Sequence, residues 1–139
     1  MNSAYGSAAT RMWTDAETLY ASTRLGTADH LYGLAAECCL KAILHAVGII
    51  PADAPSKPQK PFGVHIDRLW GEYNAALAGP HSATYAVAQL NPFNVGPWKA
   101  DDRYLHDSKF SATRVSAHQN GAKQAWVMFE QAVLNGTIQ

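Results

Sequence analysis

The stretch that decides the fold is ADHLYGLAAECCLKAIL, residues 28–44. It has no proline, and its apolar side chains recur at helical spacing around most of the circumference of a helix. A helix of this kind needs neighbours on most sides, so we expect it at the centre of a bundle. Thr27 suits its N-cap, and the pattern runs to about Val47.

The rest of the chain supplies helices to pack around this one. Thr14-Asp15-Ala16-Glu17 matches a capping box for a first helix, which could also begin earlier, near Ser7, and Gly26 suits its end. Further helices are predicted over residues 65–77, 81–90 and 111–134, the second of them short.

No segment shows the alternation of a β-strand, and no internal repeat is visible. The sequence therefore predicts an all-α fold, an antiparallel up-and-down bundle of four long helices and one short helix, as one domain over residues 1–139. Gly121 inside the last helix costs about 1 kcal/mol relative to alanine, which indicates a close approach or a bend. A proline-rich connector is expected before the third helix, with Pro51, Pro55, Pro58, Pro61, Lys57 and Lys60.

Composition excludes several classes of function. The 139 residues carry 11 Lys and Arg against 11 Asp and Glu, so no excess of positive charge favours nonspecific binding to nucleic acid or a membrane surface. Residues 1–10 do not resemble a secretory signal, and no apolar run approaches the ~20 residues of a membrane span. Cys38 and Cys39 are adjacent on a helix and poorly placed to bridge. We therefore expect two buried thiols and a cytoplasmic protein.

No strong catalytic or metal-binding motif is present. The chain has no P-loop, no GxSxG, no HExxH and no paired CxxC. Its six histidines lack the spacing of metal ligands. We expect no metal and no other cofactor.

A polar stripe interrupts the apolar central helix. His30, Glu37, Lys41 and His45 follow one another at spacings of seven, four and four residues. In one interpretation, Glu37 and Lys41 form a solvated i,i+4 ion pair worth about 0.3 kcal/mol. In the other, a partly buried Glu37 holds an arginine from elsewhere, with Arg103 as the best candidate.

The most charge-dense segment, residues 98–107, is also rich in aromatic residues. Phe93 and Trp98 stand in or beside it, next to prolines. They either fill the end of the bundle or anchor a partner as exposed aromatic residues do.

The central helix resembles the second helix of HEPN domains (higher eukaryotes and prokaryotes nucleotide-binding), which contains A-E-x-x-L-K-A, here residues 36–42. Residues 65–70, HIDRLW, resemble the start of the family's third helix, and Asp102-Arg103-Tyr104 resembles the RY element before its last helix. The three motifs occur in the family's order, and the resemblance covers roughly residues 12–135.

The resemblance implies a helical bundle, frequently homodimeric, from a prokaryotic toxin–antitoxin, phage-defence or nucleotidyltransferase-associated system. Many HEPN proteins are metal-independent ribonucleases in which an arginine precedes a histidine by four to six residues. This chain departs from that spacing, because only two residues separate Arg103 from His106, and three separate Arg114 from His118. Either pair would still provide an acid or base and a cation for a phosphate. For Arg114 and His118 the alternative is an exposed polar face, and for Arg103 it is an ion pair with Glu37.

Two functions follow as hypotheses. The first is a dimeric, non-catalytic module that binds a nucleotide, an RNA or a partner protein such as a nucleotidyltransferase or an antitoxin. Its expected binding residues are His30, Glu37, Lys41, Asp102, Arg103 and Tyr104. The second is a diverged metal-independent ribonuclease that uses Arg103 with His106, or Arg114 with His118.

Overall fold

The computed structural model describes residues 3–53, 58 and 60–139, and this part of the chain is all-helical, with no strand. Its α-helices are α1 (Ser3–Ala21), α2 (Leu25–Ala46), α3 (Ile66–Ala76), α4 (Gly79–Tyr85) and α5 (Ala112–Leu134). Short 3-10 turns at Pro92–Asn94, Ala100–Tyr104 and Asp107–Lys109 lie between α4 and α5. The all-α prediction is confirmed. Pro55 and Lys57 of the predicted connector lie outside the described residues.

Helix α2 lies at the centre, between α1 and α5. Most of its contacts with other elements are made with these two helices. The buried side chains that α2 contributes to the core include Tyr32, Ala36, Cys39, Leu40, Ile43 and Leu44. The apolar pattern of α2 predicts a helix with neighbours on most sides, and nearly every side of α2 is covered in the structure.

Helices α1 and α5 run in opposite directions. Trp13 of α1 stacks on Trp126 of α5, with ring centroids 5.7 Å apart, and Tyr20, further along α1, bonds to Ser116, which lies earlier in α5. The five helices are unequal in length. Helix α3 has 11 residues and α4 has 7, against 19, 22 and 23 in α1, α2 and α5.

Several predicted helix boundaries are wrong. The short helix expected over residues 81–90 is α4, which ends at Tyr85, and Thr27 lies inside α2 and does not cap it. Thr14 is not a cap, because α1 continues through it and its carbonyl accepts a bond from the Thr18 hydroxyl. Gly26 does not end α1, since the turn lies earlier, at Thr23, whose φ is 60°, and α2 already begins at Leu25. Gly26 instead gives room to Phe110, which would lie 3.1 Å from a Cβ at this position.

Two glycines admit the aromatic side chains of the segment between α4 and α5. Trp98 packs against Gly33 of α2, and Phe93 packs against Gly121 of α5. Both aromatic side chains are almost completely buried. They therefore fill the bundle, and the close approach expected at Gly121 is made by an aromatic ring.

No helix among the described residues is both long and apolar enough to cross a membrane.

Replacement of Gly33 by alanine is expected to destabilise the fold by about 2–3 kcal/mol, because overpacking forces neighbouring groups to move. The added Cβ would lie 2.0 Å from Cε2 of the buried Trp98 ring. Gly71→Ala is the matched control, since its Cβ meets nothing within 4 Å in helix α3, and it is expected to stabilise the protein by up to ~1 kcal/mol. Urea unfolding followed by circular dichroism measures both. Equal stability of the two variants would contradict this packing.

Candidate functional site

The indole of Trp98 contacts a member of each of two polar clusters. Its Nε1 donates to the backbone carbonyl of Asp29 at 3.0 Å. His30 stacks on the ring with centroids 5.7 Å apart, and His65 meets it edge-on at 5.9 Å. One cluster, which we call the inner network, comprises Asp29, Asp102, Arg114 and His118; the other, the pocket cluster, comprises Glu37, Lys41, His65 and Arg68.

The inner network joins α2, α5 and the second 3-10 turn through two carboxylates. Asp29 is 1% exposed, and its Oδ1 lies 2.6 Å from Nδ1 of the fully buried His118. Its Oδ2 lies 3.5 Å from Nε of Arg114, whose Nη2 donates to Asp102 at 2.6 Å. One buried carboxylate therefore orients both a histidine and an arginine, which in turn holds the turn at Asp102.

Arg114 and His118 do not form an exposed pair. The His118 ring is fully buried and stacks on Phe93, and its Nε2 is buried with no hydrogen-bond partner among the described residues. The guanidinium of Arg114 is bound to two carboxylates and lies against the Phe110 ring. The exposed polar face considered for these residues is therefore wrong. The geometry assigns them to holding the helices together.

The pocket cluster lies around Glu37. Its Oε2 accepts a bond from Nζ of Lys41 at 3.0 Å, and its Oε1 lies 2.9 Å from Nδ1 of His65. The Lys41 side chain is only 7% exposed and that of Glu37 is 15% exposed. Glu37 is therefore partly buried, as the second interpretation required, but its partners are Lys41 and His65, not Arg103.

A cavity of about 560 Å³ opens beside this cluster. Its lining consists of Glu37, Lys41, Gly63, Val64, His65, Asp67 and Arg68. This volume lies within the range of small-molecule pockets, about 300–1,000 Å³. Charged groups of both signs therefore face a space large enough for a ligand.

The residues of the RY element lie elsewhere on the surface. Arg103 donates to the backbone carbonyl of Ala100 at 2.8 Å, and its guanidinium lies 4.6 Å from the centre of the Tyr104 ring. The Tyr104 side chain is 77% exposed. His106 is exposed, and its Nδ1 accepts a bond from the backbone amide of Ser108. Of the expected binding residues, only Glu37 and Lys41 share the cavity.

The other histidines of the stripe have separate surroundings. Burial lowers the pKa of His30, and the nearby positive charge of Arg103 lowers it further. The neutral form of this imidazole is favoured where it stacks on Trp98. His45 packs edge-on against Tyr5, 6.3 Å between ring centroids, and does not line the cavity around Glu37.

The two cysteines are free, as expected, but only Cys39 is buried, and Cys38 is half-buried. Burial raises the pKa of the Cys38 thiol to about 11 and that of Cys39 well above its usual value. Because the thiolate is the reactive form, neither is suited to act as a nucleophile at neutral pH. Within residues 3–53, 58 and 60–139, no three His, Cys, Asp or Glu side chains are grouped to hold a metal ion.

Sequence reasoning missed Asp29 and Arg68. Asp29 adjoins His30 in a helix that is otherwise mostly apolar. Because a carboxylate is seldom buried without a partner, its position on such a helix indicates a buried partner elsewhere in the chain. Arg68 gave no signal of its own, because a charged residue in the first turns of a helix is ordinarily solvated. Its proximity to Lys41 depends on how α3 packs against α2.

No model of a known protein family matches the chain, and neither curated proteins nor solved structures give a match. The functional argument therefore rests on the geometry of the two clusters and on the motifs themselves.

Loss of the Asp29 carboxylate is expected to lower the free energy of unfolding by about 3–5 kcal/mol, because removal of one member leaves buried partners uncompensated. Asp29→Ala tests this by urea denaturation. Asp102→Ala is the control, since its side chain is 18% exposed and Arg114 keeps its other carboxylate. A smaller loss of about 1–2 kcal/mol is expected there. Equal losses would contradict the central position given to Asp29.

Proposed function

We propose that the protein is a HEPN-like binding module that recognises a nucleotide or RNA, from a prokaryotic toxin–antitoxin, defence or nucleotidyltransferase-associated system. The observation that carries the proposal is the nearly buried Lys41 ammonium beside a 560 Å³ cavity, with Arg68 and His65 also lining it. Cationic side chains around a concave site favour the phosphate groups of such ligands. The motif that carries the HEPN resemblance contains both Glu37 and Lys41.

The positions of the arginine and histidine pairs favour binding over cleavage. In-line attack on a phosphodiester needs an acid or base and a cation at the same phosphate. His118 is enclosed in the core, and the guanidinium of Arg103 is engaged by Ala100 and Tyr104. The alternative function, a diverged metal-independent ribonuclease, would have to use the exposed Arg103 and His106.

We also propose an antiparallel bundle that associates with itself in the cytoplasm. An apolar groove of about 630 Å³ lies between α1 and α5, lined in part by Trp126, Phe129 and Val133. Leu134, 81% exposed, borders the same groove. A two-fold axis would bring the Leu134 side chain of each copy to the other's groove, as an isologous interface requires. A cognate nucleotidyltransferase or antitoxin is the alternative occupant.

Binding at the cavity is tested by isothermal titration of the purified protein with AMP and with a short single-stranded RNA. At least one of them is expected to bind, and Lys41→Met to weaken that binding about tenfold, because a charge-assisted hydrogen bond is lost. Lys123→Met is the matched control, since this exposed lysine of α5 lies outside the cavity. Binding of neither ligand would contradict the proposal. Cleavage of the RNA in EDTA, abolished by His106→Ala, would establish the alternative.

Self-association is tested by light scattering after size-exclusion chromatography. The wild-type protein is expected to be a dimer and Leu134→Glu a monomer, because a buried carboxylate without a partner opposes the interface. Leu90→Glu is the control: Leu90 is equally exposed, at 84%, and does not line the groove. A monomeric wild type, or a dimer that survives Leu134→Glu, would contradict this interface.

A further inference from the structure

The ammonium of Lys41 is recessed and incompletely paired. Its side chain is 7% exposed, and Glu37 is its only hydrogen-bond partner among the described residues. An ammonium has three N–H donors, so two of them have no hydrogen-bond partner among the described residues. The charge of Lys41 is met by Glu37, and a ligand that supplies acceptors here would give the remaining N–H groups hydrogen bonds as well.

Further donors and positive charge face the same cavity. Arg68 is exposed on its lining and forms no salt bridge with a described residue, and the ring of His65 is 54% exposed. Helix α3 begins beside them at Ile66 without a side-chain cap hydrogen bond. Asp67 stands in this first turn and also lines the cavity, so the positive end of the helix dipole is already opposed by a carboxylate, and the positive charge of the site comes from Lys41 and Arg68.

Two carboxylates, those of Asp67 and Glu37, line the cavity, and Lys41 is bonded to that of Glu37. The two oxygens of Glu37 lie 3.0 Å from Nζ of Lys41 and 2.9 Å from Nδ1 of His65. An anion that reaches Lys41 must therefore compete with the Glu37 carboxylate for the ammonium and must also approach Asp67. A phosphomonoester carries about −1.5 to −2 charges at neutral pH and three terminal oxygens, whereas the phosphodiester within an RNA chain carries one charge.

Access to Lys41 also distinguishes the two kinds of phosphate. An internal phosphodiester reaches a recessed group only if the chain on both sides of it enters as well. A terminal phosphate needs room for one nucleotide on one side, and about 560 Å³ is within the size range of small-molecule pockets.

We infer that the cavity beside Lys41 recognises a terminal phosphate, that of a mononucleotide or of a phosphorylated RNA end, and that Glu37 competes with this phosphate for Lys41. The inference rests on the proposed function and narrows it, since binding of RNA through internal phosphates would satisfy the proposed function alone. Lys41 and Arg68 bind the phosphate oxygens, and Glu37 limits the affinity.

The test is calorimetric titration of the full chain with three probes that differ in their phosphate: 5′-AMP with a monoester, the dinucleotide ApA with one internal diester and hydroxyl ends, and adenosine with none. AMP is expected to bind at least about tenfold more tightly than ApA or adenosine. In Lys41→Met and Arg68→Gln this preference should be lost. Lys123→Met should retain it.

The outcomes separate the inference from the proposed function. If ApA binds as tightly as AMP and Lys41→Met weakens both equally, the result supports the binding module and contradicts recognition of a terminal phosphate. If neither AMP nor RNA binds, the result contradicts the proposed function itself. Arg68 is exposed, so Arg68→Gln keeps the test valid if Lys41→Met fails to fold by circular dichroism.

Glu37→Gln tests the competition directly. The amide keeps the shape of the side chain but removes its charge, so AMP should bind about threefold or more tightly than it binds the wild type, since a competing ion pair is removed. Weaker AMP binding by a folded Glu37→Gln variant would overturn the competing role of this carboxylate.

Discussion

The contact on which the rest of the structure depends is that of the Trp98 indole with Gly33 of α2. Cε2 of the ring lies 2.0 Å from the point where a Cβ on Gly33 would stand, and Nε1 of the ring donates to the Asp29 carbonyl. An aromatic ring buries a large apolar area, and here its polar atom also finds a partner. This contact fixes the segment between α4 and α5 on the central helix.

The position of Trp98 also shapes the polar surface. The ring contacts both clusters, because its Nε1 donates to the Asp29 carbonyl of the inner network and its edge meets His65 of the pocket cluster. In the inner network, Asp29 and His118 are buried and Arg114 is held by two carboxylates, so these charges stabilise the packing of α2, α5 and the turn at Asp102. The pocket cluster stays open to the cavity, so its charges remain available to a ligand.

The two clusters illustrate how similar residue types acquire different roles. Arg114 and Arg68 are both arginines on helices, yet one is held by two carboxylates and the other has no such partner among the described residues. Likewise, His118 is buried against Asp29, whereas His65 is half-exposed beside the cavity. Chemical sufficiency for catalysis is therefore a weak guide until the exposure of each group is known.

The sequence by itself determined the helical class, the central position of α2 and the ends of α3 and α5 to within a residue or two. These properties follow from local spacing, since a helix repeats its face every three to four residues and an apolar circumference requires neighbours. The sequence also indicated Glu37 and Lys41 as candidate binding residues, because charges are conspicuous on such a helix.

Only the tertiary structure decided which charges meet. Asp29 and His118 are 89 residues apart in sequence, and Glu37 and His65 are 28 apart. No local rule relates residues at such distances; their pairing depends on how the helices pack and on where glycines let aromatic rings approach. The same packing withdrew His118 from solvent and left Lys41 beside an open cavity.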